Sequence, residues 1–295
     1  MDLRNLRAFV EVVRHGGFTR AAKVVHLTQS TISKAVKQLE DELGLPLLDR
    51  ASGHPTLTAA GDIVFRRALA MLAERDSLIE ELNALRGLQR GTLRLGLPAI
   101  GSSALFAPVF SIYRKNYPGI DVTLVEQGSK RLEELILSGE LDLAASLLPV
   151  PEPFAWEEVR CEPLDLLVAA GDSLSARQSV VLGDLAARPF ILFGEGFALS
   201  PIIIDACAAQ GFVPTVVARS SQIDFVLELI AGGLGVGFLP RFIAEQRMPP
   251  GVCRVPIDDP AMVWNIALVW RRGGYLSQAA QAWIAAVRAQ RAGRV

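Results

Sequence analysis

The chain has 295 residues, 51% of them apolar and 21% charged, with a formal net charge of −1. That length predicts more than one domain, and the composition predicts an ordered, well-packed chain rather than a disordered one. Near neutrality excludes bulk attraction to nucleic acid, so any such contact must come from a local basic patch, presented twice in a dimer. The cysteines (Cys161, Cys207, Cys253) are widely separated and suit reduced core positions. The histidines all lie at or before His54, so neither a metal site nor histidine-based catalysis is expected further on. The opening MDLRNLRAFVEVVRHGG has no signal-type apolar run, and no apolar run is long enough to span a membrane, so a cytoplasmic location is expected.

The first element, over Leu3–Val13, carries Leu3, Leu6, Phe9, Val10 and Val13 at helical spacing and closes at Gly16-Gly17. From Val12 to Leu39 there is no Asp or Glu, while Arg14, Arg20, Lys23, Lys34 and Lys37 are present. Thr19 is placed to cap a helix over Arg20–His26, with Ala21, Ala22 and Val25 on its buried side. Thr28 is placed to cap the next helix near Thr31. There Ile32, Val36, Leu39 and Leu43 form a core stripe, and Gly44 ends the helix. Its other face shows Gln29, Ser30, Ser33, Lys34 and Lys37, side chains that can read base edges and neutralise phosphate. Such a pair is what a helix-turn-helix needs. An ordinary amphipathic pair with a solvated basic face fits the same spacing.

Next, Leu45–Leu57 reads as a small hairpin or wing, and Thr58 opens another helix. In order and spacing, LRAFVEVVRHGGFTRAA, LTQSTISKAVKQLEDELG, PLLDR and LTAAG, spanning Leu3–Gly61, resemble the LysR-type transcriptional regulators. The resemblance implies an all-α winged helix-turn-helix domain at residues 1–58, whose second helix enters the major groove of double-stranded promoter DNA. Expected DNA contacts are Arg20, Thr28, Gln29, Ser30, Thr31, Ser33, Lys34 and Lys37, with Arg50 and His54 on the wing. Leu48 stands where the family usually has Phe.

Residues 59–87 read as one long linker helix. Val64, Met71, Leu78 and Leu85 recur every seventh position with Ala68 and Leu82 between them, the pattern of a dimer seam. Residues 88–91 are the expected hinge. From Thr92 strands alternate with helices, which predicts parallel sheets covered by helices. The order suggests one lobe from 92–160 and 263–295 around a second lobe, 161–262. The family resemblance implies an α/β two-lobed, periplasmic-binding-protein-like effector domain with a cleft between the lobes, and assembly into a homodimer or homotetramer.

Ligands of open α/β sheets sit beyond the carboxyl ends of strands, where helix N-termini favour anions. Candidate effector contacts are therefore Pro98, Ala99, Ile100, Ser102 and Ser103 after the first strand, and Gln127, Gly128 and Ser129 after the second. Further candidates are Ser146 at the end of the third strand, Phe197 and Ser200, and Ser221 and Gln222. Ala99 stands where such regulators often carry Ser or Thr. Lys130, Arg131 and Arg219 are the cations nearest these loops in sequence. The segments GLPAIGSS and FILFGEGFALS are similar to a CidR-like subgroup, which implies a short-chain organic acid as effector.

Two rival classes are an enzyme on the α/β half and a solute-binding protein. The first lacks a histidine, a cysteine pair or a carboxylate motif there, and the second an export signal. Gly232–Gly237 (GGLGVG) precedes a strand, the wrong context for a dinucleotide loop, so no cofactor or metal is expected.

Overall fold

The computed structural model describes residues 1–49, 55–85, 91–194 and 196–293. The wing candidates Arg50 and His54 lie outside the described residues, as does the side chain of Leu85. The chain divides into two units, Met1–Leu88 with Leu137–Glu140, and Gln89–Ile136 with Leu141–Val295. No helix among the described residues is long and apolar enough to cross a membrane.

In the first unit, α1 (Leu3–Arg14), α2 (Phe18–Val24) and α3 (Gln29–Leu43) pack around Leu6, Phe9, Val12, Ala21, Ile32, Val36 and Leu39. Small alanines on α2 let its backbone approach the others closely. The second helix starts and stops earlier than its sequence suggests. Gly17 is its N-cap, and Thr19 lies inside the helix, exposed and not capping it. At the other end His26 takes a left-handed backbone (φ 55°) that ends the helix and makes the turn, a region histidine enters more readily than most side chains. A short antiparallel hairpin, β1 (Leu48–Asp49) with β2 (Thr56–Leu57), forms the base of the wing. Glu40 Oε1 accepts from the Leu47 and Leu48 N–H groups at 2.9 and 3.2 Å, tying α3 to that hairpin.

Helix α4 (Ala59–Leu85) begins where the Thr58 hydroxyl accepts from Gly61 N–H at 2.9 Å. A Cβ on Gly61 would lie 2.0 Å from the Leu47 carbonyl oxygen, so this turn admits only glycine. The seam expected along this helix is split. Ala68 is 1% exposed inside the first unit's own core, and half-buried Val64 packs beside it. Met71, Leu78 and Leu82 remain exposed. The first turns of the helix cover the three-helix domain, and only the later ones keep an apolar stripe open.

The second unit is built on a mixed sheet, which corrects the expectation of parallel sheets. Strands β3 (Gly91–Leu97), β4 (Ile120–Glu126) and β5 (Leu143–Leu147) are mutually parallel. Two long strands, β6 (Phe154–Ala169) and β11 (Val263–Arg271), run antiparallel to their neighbours. Helices α5 (Ser102–Asn116) and α10 (Gln278–Ala292) cover one face of this sheet, and α6 (Ser129–Leu137) the other. Along β5 the side chains alternate between faces, with Leu143, Ala145 and Leu147 toward the first core and Ala144 toward α6.

The expected lobe boundary at Arg160 falls inside a single strand. The first part of β6, Phe154–Pro163, pairs with β11. Its last part pairs with β9 (Gly237–Pro240) and β10 (Val252–Pro256) in the second lobe. That lobe is completed by parallel β7 (Pro189–Phe193) and β8 (Thr215–Ser220), with α7 (Leu199–Ala209), α8 (Ile223–Ala231) and α9 (Arg241–Gln246). Asp165, fully buried on β6, is held by Arg241 and Arg254 at 2.9 and 2.6 Å.

Candidate nucleic-acid interface and ligand cleft

The N-terminus of α3 presents an unobstructed polar surface. Thr28 caps the helix, its hydroxyl accepting from Thr31 N–H at 3.2 Å, as its sequence position implies. The same oxygen lies 2.9 Å from Ser30 Oγ and 2.8 Å from Thr31 Oγ1. Thr28, Gln29, Ser30, Thr31, Lys34 and Lys37 are exposed, and Ser33 is half-buried. Arg20 is exposed on α2, where its guanidinium donates to the His15 carbonyl at 3.4 Å. Ile32, Val36 and Leu39 on the opposite face are sealed in the core. The helix is therefore anchored by one side while hydroxyls, an amide and two ammonium groups face outward. This is the chemistry that contacts base edges and phosphates from the major groove.

In the second unit, α5, α6 and α7 begin around one cleft. It is lined by Pro98, Ile100, Ser129 and Phe197 from the expected set, together with Leu147, Ala198, Leu199 and Trp264. The last four come from strand ends and a helix start. An indole reaching in from β11 is visible only once β11 is paired beside β5. The space enclosed is about 10 Å³, roughly one water molecule. The cleft is therefore closed. A Cβ on Gly128 would stand 2.2 Å from the Gly196 carbonyl oxygen, so the loop before α6 and the loop before α7 meet backbone to backbone. Trp264 is 1% exposed and packs against Phe242, the rings tilted with centroids 5.5 Å apart.

Several expected effector contacts are committed elsewhere. The Ser102 hydroxyl donates to the Pro98 carbonyl, and Ser200 Oγ donates to the Phe193 carbonyl at 2.8 Å. Ser146, fully buried, donates to Glu133 Oε1 at 2.5 Å. Ala99, Ser103, Gln127, Ser221 and Gln222 are exposed and do not line the cleft. Of the nearby cations, Arg131 pairs with Glu134 at 2.8 Å and Arg219 reaches the Phe193 carbonyl at 3.4 Å. Burial pushes the Glu133 carboxyl above its ordinary range, against the Ser146 hydroxyl and the Lys130 charge. What remains at the cleft is Ser129, apolar wall and helix N-termini. Neither α5 nor α7 has its first turn capped by a side chain.

Family models match both halves of the chain. A bacterial regulatory helix-turn-helix model of the lysR family covers residues 3–62, and the LysR substrate binding domain covers residues 86–292. An uncharacterized HTH-type transcriptional regulator of Bacillus subtilis, YwbI, is 36% identical over 285 residues, covering 96% of this chain and 95% of its own length. A full-length OxyR variant from Pseudomonas aeruginosa superposes with a TM-score of 0.77 at 26% identity, covering 98% of this chain and 95% of that one. The fold is shared as well with full-length CbnR in complex with its target DNA, at a TM-score of 0.66 and 22% identity over 98% of this chain and 99% of that one. With both models spanning the chain and the exposed helix face and two-lobed unit in place, this protein belongs to the LysR family of DNA-binding transcriptional regulators with a ligand-binding effector domain.

Proposed function

We propose that this regulator senses a small organic acid in the effector cleft and that occupancy changes how paired DNA-binding domains engage a promoter. Convergence of α5, α6 and α7 on the cleft carries the acid reading. The α6 and α7 starts, at Ser129 and Leu199, line one small volume with mostly apolar walls, and α5 begins just after Ile100 on its rim; helix N-termini carry positive dipole ends that favour a carboxylate on a short carbon chain. Among the described residues, no cationic side chain lines the cleft. With about 10 Å³ enclosed, the acid must bind a more open arrangement of the lobes. A ligand that prefers one arrangement shifts the population toward it. We assign reading of DNA to the face bearing Gln29, Ser30, Ser33, Lys34 and Lys37, with Arg20 beside it. Self-association is assigned to the open stripe Met71, Leu78 and Leu82, which provides the paired half-sites such a reader uses. The protein acts in the cytoplasm, without catalysis.

Titrating short-chain carboxylates and their primary amides against a promoter-bound complex tests this reading. The acids are expected to alter footprint length or affinity while the amides do not. An unchanged footprint at every saturating acid concentration would overturn the acid assignment. Lys34→Ala and Lys37→Ala separate DNA reading from sensing. Each is expected to weaken binding across sequences and to lower the slope of log affinity against log salt by about 0.9. An unchanged slope would remove these lysines from the interface.

A further inference from the structure

Two hydrogen-bond donors on the cleft wall have no acceptor. Buried indole and hydroxyl groups ordinarily find a partner. Ser129, 4% exposed at the start of α6, and Trp264, 1% exposed on β11, both line the cleft. Neither the Ser129 hydroxyl nor the Trp264 indole N–H meets an acceptor among the described residues. Unpartnered side-chain atoms sealed from all access occur among those residues at Asn265 Oδ1, Trp283 Nε1 and Gln290 Oε1. Ser129 Oγ and Trp264 Nε1 are not sealed in this way, so each keeps an opening, and the cleft is the space these two residues line.

The indole is fixed in place. Phe242 packs against it, and the Arg160 guanidinium lies over the same Phe242 ring at 4.4 Å. A Cβ on Gly101 would stand 2.7 Å from Trp264 Cη2 and 2.9 Å from Cζ2. Glycine just before α5 thus leaves room for this edge of the ring, and Cζ2 is bonded to the carbon that carries Nε1. The N–H side of the indole therefore lies toward Gly101 and its neighbour Ile100, which also lines the cleft. Helix α6 packs on β11 through Ala267 and Val269, so Ser129 and Trp264 belong to the same lobe. Phe197, Ala198 and Leu199 come from the other lobe, at the start of α7. When the lobes part, the two donors stay together and the wall that leaves them is apolar.

We propose that Trp264 sets the specificity of the cleft, its N–H donating to one carboxylate oxygen of the effector while the Ser129 hydroxyl donates to the other. This assignment rests on the acid reading of the cleft. An indole nitrogen can only donate, so the group facing it must accept. A carboxylate satisfies both donors at once, and hydrogen bonds to an ionised acceptor are stronger than those to a neutral one. No cationic side chain lines the cleft among the described residues, so neutral donors hold the charge. The apolar side that carries Phe197 closes over the carbon chain.

Propionate and butyrate are the probes, titrated calorimetrically into the full chain. Saturable binding to the unsubstituted protein is expected. Trp264→Phe keeps an aromatic wall and removes the donor. It is expected to weaken both acids about ten- to hundredfold, the worth of one hydrogen bond to a charged group. Replacing Trp264 by benzothienylalanine keeps the ring outline and puts sulfur where the N–H stood. The same loss is expected there, and this variant decides if Trp264→Phe does not fold. Acid binding as tight with benzothienylalanine as with the indole would overturn the role of the N–H and leave the acid reading standing. No saturable binding of either acid to the unsubstituted chain would overturn both.

Discussion

The surface proposed to read DNA and the cleft proposed to take the effector put their polar and apolar atoms in opposite places. On α3 the core is on one side and the working groups on the other, so burying Ile32, Val36 and Leu39 leaves Gln29, Lys34 and Lys37 outside. In the cleft the walls are the core. Ile100, Leu147, Leu199 and Trp264 hold the lobes together and also line the space a ligand would enter. A helix surface can therefore exchange its contacts with little effect on folding, whereas a change in the cleft alters stability and binding together.

Trp264 tests that contrast most severely. Its indole is 1% exposed, packs on Phe242, and stands against Gly101, where a Cβ would lie 2.7 Å from the ring. Trp264→Ala is expected to lower stability by about 3–5 kcal/mol through lost burial and the void left behind. Chemical denaturation measures it, and a loss below about 1 kcal/mol would mean that the wall collapses around the gap. The matching change on the reading surface is Thr28→Ala. It removes the cap on α3 and is expected to cost about 1 kcal/mol, while Gln29→Ala beside it leaves the midpoint unchanged and weakens only DNA binding. Equal stability of the Thr28 and Gln29 variants would break the distinction between capping and reading at this helix start.

Local rules sufficed for α3. The Thr28 cap, the Ile32–Val36–Leu39 stripe and the Gly44 stop are all written within a few residues of where they act. Less of the second unit could be read this way. The first half of β6 carries Glu157, Glu158, Arg160 and Glu162 and was given no element from its sequence, yet Arg288 and Arg291 of α10 neutralise two of those carboxylates across more than a hundred residues of chain. Serines near the cleft were legible as hydroxyls but not as donors to Pro98, Phe193 and Glu133. Trp264 reaches the cleft through a strand pairing that no local pattern encodes. In α4 the sevenfold repeat was visible, but the surface that takes each residue depends on tertiary packing. Ala68 therefore went to the core and Met71 to the outside.

The smallest expected effect lies beneath the cleft, at Glu133. Burial holds its carboxyl above the ordinary range, with the Ser146 hydroxyl and Lys130 only partly opposing it. The folded chain thus binds this proton more tightly than the unfolded chain does. The stabilisation from the protonated form is complete below the ordinary carboxyl value and is lost as pH rises through the folded one. Glu133→Gln keeps an oxygen that can accept from Ser146 and removes the charge. The two proteins should melt together at a pH of about 4, near the unperturbed glutamate value, and separate in favour of Gln as pH rises toward neutrality. Thermal melts across that range decide it. A gap that widens toward acid would mean that the ionised carboxylate is the form the fold prefers, with Lys130 and Ser146 outweighing burial.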